Sequence, residues 1–304
     1  MPPASAKAEV SNTAKLLVVL LAFAWGFNWT AAGIALHEVP PWSMRLAGSG
    51  IGALTLFVAA KLGGHSLHVP RRERVHVMIA GFFNVAAFQI FSGFAQLAGA
   101  TSRAIIIAYS MPIWATLLSR FMLGERLTGA RQIAFLLCVV GLSTLVWPLL
   151  VHGAPASVLL SLGCALSWAF ATVYVKWMKL TVPPLANAAW QLVFGFLFIA
   201  AGTFAFEGTP HLLGISQSAL LAILYIGVFG VGLAHFLWWA IVGRLPTVTA
   251  SIGSLLVPVI GVVASTLVLH ERPTLNDIIG FLLIFLAAAC VLLAPAKRNT
   301  ALLK

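Results

Sequence analysis

Charged side chains are scarce in this sequence of 304 residues. Asp, Glu, Lys and Arg together make up 8% of the chain, whereas soluble domains average about 25%. Apolar residues make up 61%, so there are too few charged groups to cover a surface that faces water. The composition excludes an ordinary soluble domain and predicts an all-α, polytopic membrane protein.

Cysteine and the common catalytic motifs are also lacking. Cys138, Cys164 and Cys290 each lie inside an apolar run without a partner nearby in sequence, so we expect neither a disulfide nor a metal site. The sequence has no Gly-X-Ser-X-Gly elbow, no phosphate-binding Walker loop and no cluster of metal ligands. We therefore expect no enzyme activity, no cofactor and no ATP-driven step in this chain alone.

The apolar runs predict ten membrane-spanning helices. A helix of 20 residues is about 30 Å long, which is enough to cross the hydrocarbon core of a bilayer. The gaps between the runs are short and leave no room for a separate soluble domain. The predicted spans are 16–36, 43–61, 75–97, 104–123, 133–150, 157–178, 186–206, 219–243, 247–269 and 276–294.

The positions of Lys and Arg predict the orientation. If the N-terminus is cytoplasmic, 15 of the 18 Lys and Arg residues fall on the cytoplasmic side, and the other side keeps Arg45, Arg103 and Arg272. This is the positive-inside pattern, and it predicts that both termini are cytoplasmic. It also explains the basic run RRER at 71–74 as a topology anchor, so no nucleic-acid partner is expected.

The chain contains an internal repeat. Residues 81–146 align with residues 227–292 without a gap, and 16 of the 66 positions are identical. The repeat predicts two five-helix units, residues 1–150 and residues 151–304. Because five is odd, the second unit must enter the membrane from the opposite side. Such inverted-topology pairs favour alternating access around a site near the bilayer midplane.

Several short motifs carry a family resemblance. They are AWGFN at 24–28, Arg45 at the start of the second span, AYSMP at 108–112, GERLT at 124–128, ALSWAF at 165–170, and VP at 257–258 followed by HERPT. In this order and spacing the chain resembles the EamA-type branch of the drug/metabolite transporter superfamily, which includes amino-acid exporters of the YddG type.

The resemblance implies the drug/metabolite transporter fold in a bacterial inner membrane. It implies ten helices, cytoplasmic termini and a central cavity lined by helices 1, 3, 4, 6, 8 and 9. The YddG type often carries more tyrosines at the cavity, whereas this chain has only three. Phe88 and Gln89 stand where polar or tyrosyl cavity residues are expected, so substrate preference is expected to differ.

No acidic residue is predicted to lie deep in a span. Proton-driven transporters usually need an embedded carboxylate whose protonation changes with the access state. The sequence therefore predicts facilitated diffusion without a carboxylate coupling site. All seven acidic residues lie in the N-terminal tail, in gaps or at helix ends: Glu9, Glu38, Glu73, Glu125, Glu207, Glu271 and Asp277.

Polar and aromatic residues at mid-depth are the candidates for the cavity wall. Trp25 and Trp168 lie about ten residues into the first span of each repeat, deeper than the interfacial belt that tryptophan normally occupies. Asn28, one turn from Trp25, would be costly facing lipid. Gln89 and His235 are equivalent under the repeat, so each half places a polar residue at one depth.

Other candidates come from the fourth, eighth and ninth spans. His235 is either buried in a hydrogen bond to a neighbouring helix or exposed to the cavity as a contact or proton acceptor. Tyr109 lies on a span that Pro112 is expected to bend. Pro112 and Pro258 are predicted hinges, with a static kink as the alternative. Trp239 is the predicted cavity residue of an aromatic cluster.

These features predict an exporter of amino acids or similar small metabolites that works by alternating access. A multidrug or nucleotide-precursor exporter is the first alternative, and an integral-membrane enzyme that modifies lipid is the second. The expected partners are a small-molecule substrate and the lipid bilayer, and a monomer is expected to suffice. Cavity polarity does not fix one metabolite.

Overall fold

The structure is a computed structural model, and it describes residues 12–124, 129–152, 155–242 and 256–293. Regular structure in these ranges is entirely helical. Within these ranges a short 3₁₀ turn (Arg71–Glu73) precedes the third of ten longer helices, which follow one another in chain order as predicted: α1 (Asn12–Leu36), α2 (Pro41–Leu62), α3 (Arg74–Gly81, Phe82–Ala87 and Phe88–Leu97), α4 (Thr101–Ala108 and Met111–Met122), α5 (Gly129–His152), α6 (Pro155–Trp177), α7 (Pro184–Gly202 and Thr203–Glu207), α8 (Gln217–Tyr225, Ile226–Leu233 and Ala234–Val242), α9 (Leu256–Val268) and α10 (Leu275–Leu293).

The helices have the length and composition of membrane spans. Within the described residues, seven are long and apolar enough to cross a bilayer, and three shorter apolar segments lie in α5, α9 and α10. The first part of the ninth predicted span, 247–255, lies outside the described residues. Both α2 and α7 begin with a proline in the first turn, where a missing backbone N–H leaves no hydrogen bond broken.

Helix packing follows the internal repeat. Helix α2 packs on α8, and their repeat equivalents α7 and α3 pack on each other. Likewise α1 packs on α9 while α6 packs on α4, and α5 pairs with its own equivalent, α10. Because each unit has five helices, the second runs in the opposite direction to the first. The predicted pair of five-helix repeats with inverted topology is confirmed.

The acidic side chains join the two repeats at helix ends. Glu207 accepts hydrogen bonds from the backbone N–H groups of Trp42 and Ser43 at the start of α2, at 3.0 and 2.8 Å. Glu271 accepts from those of Thr101 and Ser102 at the start of α4, at 2.6 and 2.8 Å. The first N–H groups of a helix have no partner within it, and its dipole favours a negative charge there. These carboxylates therefore tie one repeat to the start of a helix in the other.

Two further glutamates do the same. Glu73 accepts from the N–H groups of Thr181 and Val182 ahead of α7, at 2.9 and 3.0 Å. Glu38 accepts from the N–H of Ser216 ahead of α8, at 2.7 Å. The hydrogen bonds from the side chain and backbone of Ser216 lower the pKa of Glu38. Glu271 thus caps the start of α4, and its repeat equivalent Glu125 lies outside the described residues.

The bundle has two ends, which we name by the helices that start there. The upper end is where α2, α4, α8 and α10 begin, and the lower end is where α3, α5 and α7 begin. Helices α1, α4 and α9 are in contact at the upper end, where a Cβ added at Gly33 would lie 2.7 Å from Leu269 and 3.2 Å from the Thr101 hydroxyl. The Glu271 contacts with α4 lie at this end as well.

Candidate functional site

A cavity of about 250 Å³ lies between helices of both repeats. It is slightly smaller than the usual 300–1,000 Å³ of ligand pockets, which suits a small solute. Helices α1, α2, α3, α4, α6 and α8 line it, whereas the described part of α9 contributes no lining residue. The expected set of helices is therefore corrected here by the addition of α2. The lining residues are Trp25, Asn28, Trp29, Arg45, Asn84, Val85, Phe88, Gln89, Ser92, Tyr109, Met111, Pro112, Ala115, Trp168, Thr172, Gly230, Val231, His235 and Trp238.

The structure brings most of the predicted residues together. Seven of the eight candidates line this one cavity: Trp25, Asn28, Phe88, Gln89, Tyr109, Trp168 and His235. The side chain of Trp239 lies outside the described part, and its neighbour Trp238 lines the cavity instead. That these side chains bind a substrate stays a prediction.

The predicted hinge at Pro112 lies at an interruption of α4. The first segment ends at Ala108 and the second begins at Met111, so Tyr109 and Ser110 form a turn between two helices. Pro112 is in the first turn of the second segment, where its missing N–H breaks no bond. The expected bend is thus a break, and Pro258 is buried near the described start of α9. Motion at either proline stays a prediction.

An aromatic wall joins the two repeats across the cavity. Trp25 of α1 packs edge-on against Trp168 of α6 and lies beside Trp238 of α8, with ring centroids 6.3 and 5.9 Å apart. Trp168 also contacts Phe88 of α3 at 5.2 Å. These separations are typical of favourable aromatic pairs. The wall offers a broad apolar surface to one side of a bound solute.

The polar part of the cavity is notable for unpaired atoms. Within the described residues, four buried side-chain atoms have no hydrogen-bond partner: Asn28 Oδ1, Arg45 Nε, Asn84 Oδ1 and Gln89 Oε1. All four side chains line the cavity. A buried polar atom left unpaired costs about 1–3 kcal/mol, and such atoms are rare in folded proteins. Their concentration here is what a binding site for a polar solute requires.

Arg45 is a cavity residue that the sequence marked only as a family motif at the start of the second span and as one of three basic residues outside the cytoplasmic set. Its side chain is 3% exposed, and its Nη2 donates to Ser92 Oγ at 2.9 Å. It forms no ion pair within the described part of the chain, whereas Arg103 holds Asp277 with two contacts of 2.7 and 2.9 Å. The available signal was a lone arginine inside an apolar run, which is a functional pointer in a membrane span.

Asn84 is the second cavity residue missed from the sequence. Its Nδ2 donates to Gln191 Oε1 at 2.8 Å, and Gln191 Nε2 donates in turn to Asn187 Oδ1 at 3.0 Å. This network from α7 engages the amide nitrogen of Asn84 and leaves its Oδ1, a buried acceptor, without a partner. The argument that an asparagine would be costly facing lipid, applied to Asn28, identifies Asn84 equally well.

Two π-helical turns occupy equivalent places in the repeats. Phe82–Ala87 of α3 and Ile226–Leu233 of α8 overlap when the first is shifted by the repeat offset. A π turn bonds residues five apart, so it brings residues with that spacing toward one face. Asn84 and Gln89 in α3, and their equivalents Gly230 and His235 in α8, all line the cavity. The π turns thus help to set which side chains face it.

His235 has a partner in its own helix, not in a neighbouring one as one interpretation expected. Its Nδ1 lies 2.6 Å from the carbonyl oxygen of Val231. Because a carbonyl only accepts hydrogen bonds, Nδ1 carries a proton and donates it to this carbonyl. The ring also packs edge-on against Trp25, with centroids 6.1 Å apart. His235 is therefore a cavity residue whose ring is held by its own helix and by Trp25.

Comparison with known proteins agrees with this architecture. The model of the EamA-like transporter family matches residues 12–147 and again residues 155–293. The chain belongs to the EamA-like transporter family. The two matches correspond to the two five-helix repeats, and the resemblance noted from the sequence motifs is confirmed.

Relatives within the family carry transporter names. The uncharacterized transporter YoaV of Bacillus subtilis is 24% identical over 270 residues, which cover 88% of this chain and 92% of YoaV. A probable amino-acid metabolite efflux pump of Escherichia coli is 25% identical over 284 residues, with 88% and 91% of the two chains covered. A solved crystal structure with 24% sequence identity superposes with a TM-score of 0.65 and covers 94% of this chain and 99% of that one, which supports the fold.

Proposed function

We propose that this EamA-like transporter exports amino acids or similar small metabolites across the bacterial inner membrane, and that it is a carrier and not an enzyme. The observation that carries the proposal is the central cavity, which is built from both inverted repeats and lined by aromatic side chains and unpaired polar atoms. The relatives named as probable amino-acid metabolite efflux pumps support the choice of solute.

Alternating access is the proposed mechanism. In this proposal the upper end faces outward and the lower end, with both termini, faces the cytoplasm, in line with the distribution of Lys and Arg. In this proposal the close contacts of α1, α4 and α9 at the upper end close the outward path. Exchange of equivalent contacts between the repeats would then open the upper end. All lining residues belong to a single chain, so a monomer within the lipid bilayer suffices.

Facilitated diffusion is the proposed energetics. None of the lining residues is acidic, and each of the five described carboxylates is engaged at a helix start or with Arg103. A carrier whose binding site holds no titrating carboxylate has no such group to link solute movement to protons.

Counterflow in liposomes tests the proposed function and its energetics together. Reconstituted protein is expected to exchange labelled leucine or phenylalanine across vesicles at a rate that stays the same when a pH gradient is imposed. A flux that follows the gradient would contradict facilitated diffusion, and His235→Gln would then be compared with wild type. Conversion of added lipid without solute flux would instead support a membrane enzyme.

A further inference from the structure

We infer that Arg45 binds the carboxylate of the transported solute, and that the amide oxygens of Asn28, Asn84 and Gln89 receive its ammonium group. The solute class for this cavity is then a zwitterionic α-amino acid with an apolar side chain. The inference rests on the proposed function and specifies how the same cavity recognises its solute.

Arg45 gives the cavity a positive charge that no carboxylate in the described ranges neutralises. Arg45 is 3% exposed and lines the cavity, yet no carboxylate in the described ranges pairs with it. A buried guanidinium without a counter-ion is costly in a membrane span. Arg103, near the upper end, shows the alternative, because its charge is neutralised by Asp277 through two contacts. The cavity therefore has a fixed positive charge that a bound anion can neutralise.

The guanidinium of Arg45 has a hydrogen-bond donor available for a carboxylate. A guanidinium presents five N–H donors in a planar fork that matches the two oxygens of a carboxylate. One terminal nitrogen is held by the Ser92 hydroxyl, which itself donates to the Gln89 carbonyl at 2.8 Å. The Nε is buried and without a partner. The side chain is thus anchored through Nη2 and keeps a free donor for a carboxylate.

The other three unpaired atoms are the side-chain oxygens of Asn28, Asn84 and Gln89. They are all amide oxygens, which accept hydrogen bonds, on α1 and α3. An ammonium group supplies three donors and no acceptor, so it complements such a set. The aromatic wall of Trp25, Trp168 and Phe88 then provides an apolar surface for the side chain. Together the groups match both charges and the apolar part of one small molecule.

Isothermal titration of the full chain in lipid nanodiscs tests this inference with matched probes. The first series is L-phenylalanine, L-phenylalaninamide without the carboxylate, and 3-phenylpropionate without the ammonium group. The second is L-leucine, L-leucinamide and 4-methylpentanoate. Removal of either charged group is expected to weaken binding to the wild type by about tenfold or more, because each group loses charge-assisted hydrogen bonds.

Arg45 variants then separate the two charges. Arg45→Gln is expected to weaken binding of the amino acid and of the acid by about tenfold or more. Binding of the cationic amide, which has no carboxylate and which Arg45 repels, is not expected to weaken. Arg45→Lys is expected to retain part of the preference for a carboxylate. Because Arg45→Gln could impair folding, Ser92→Ala provides a second variant that keeps the charge and removes its anchor, with a smaller loss of the same preference expected.

Three outcomes overturn the inference: an amide that binds wild type as tightly as its amino acid, an unchanged carboxylate preference in Arg45→Gln, or no binding in either series. Amino-acid counterflow that Arg45→Gln leaves intact would reject the role of Arg45 and retain the proposed function. Carboxylate binding that depends on Arg45 without any amino-acid flux would reject the proposed function and retain the anion site.

Discussion

Gly52→Val is expected to prevent the chain from reaching a stable fold. A Cβ at Gly52 would lie 2.3 Å from Val231 Cγ1 and 3.2 Å from the Gly227 carbonyl oxygen. The first distance is far inside van der Waals contact, and valine would add two more methyl groups. Overpacking of a tight interface costs typically 1–3 kcal/mol and occasionally more. Here we expect about 3 kcal/mol or more, since a backbone atom lies behind the side chain.

The reason lies in the seam between α2 and α8, which joins the two repeats. Glycines on each helix face branched side chains on the other, so the backbones approach closely. A Cβ at each of these glycines would lie 2.3–2.7 Å from its neighbour: Gly48 with Ile226, Gly52 with Val231, Gly227 with Ile51, and Gly232 with Thr55. The π turn of α8 forms part of this seam and also supplies Gly230 and Val231 to the cavity wall. The packing of α2 against α8 therefore also supports that wall.

Size-exclusion chromatography in detergent and a thermal melt measure this effect. Gly129→Val is the matched control, because nothing lies within 4 Å of a Cβ at Gly129. The Gly52 variant is expected to aggregate or to melt well below wild type, while the Gly129 variant behaves as wild type. Equal elution and melting of both variants would show that the seam can widen without loss.

Long-range pattern in the sequence was sufficient to predict the fold. Each apolar run is long enough to cross a bilayer, and lipid leaves a helix as the simplest structure that satisfies its backbone. The ungapped repeat then required two odd-numbered units. Local irregularities escaped this reasoning. The turn at Tyr109–Ser110 was predicted only as a bend at Pro112, and the π turn at Phe82–Ala87 was not predicted, because hydropathy does not specify local backbone geometry.

The candidate site was predicted in part, for a similar reason. Asn28, Gln89 and His235 are conspicuous because polar side chains at mid-depth are costly, and all three line the cavity. Arg45 is equally polar, but a charge four residues inside a helix can also be explained by a position near the membrane surface, here on the side opposite the termini. Only the packing separates the two explanations, since it shows Arg45 buried against Ser92 while Arg103 is paired with Asp277.

Glu271→Ala is expected to shift the carrier away from the arrangement in which the upper end is closed. The substitution removes a carboxylate that accepts two backbone hydrogen bonds at the start of α4, from Thr101 and Ser102. Hydrogen bonds to a charged group are worth about 1.5–3 kcal/mol, and water at this end replaces part of that. A net loss in this range corresponds to about a tenfold to hundredfold change in the population of the closed form.

Electron paramagnetic resonance distances measure this shift. Spin labels at Leu97 and Leu267, which are 53% and 68% exposed near the upper end, report the separation of α3 from α9. The Glu271 variant is expected to populate longer distances than wild type. Glu38→Gln is the comparison variant: this exposed carboxylate caps α8 at the same end, and a smaller change in distance is expected because solvent screens its charge. An unchanged distribution in Glu271→Ala would show that the carboxylate does not hold the upper end closed.

The internal repeat allows the effect of Glu271→Ala to be compared with that of the equivalent substitution in the first repeat. Glu271 and Thr101 have equivalents in Glu125 and Thr247, which lie outside the described residues. The Glu-Arg pair occurs at 125–126 and again at 271–272. If the two pairs act at opposite ends of the bundle, Glu125→Ala is expected to shorten the distances between the spin labels, toward the closed upper end. Two variants that shift the distribution in the same direction would contradict this, because inverted repeats require equivalent contacts to have opposite effects on access.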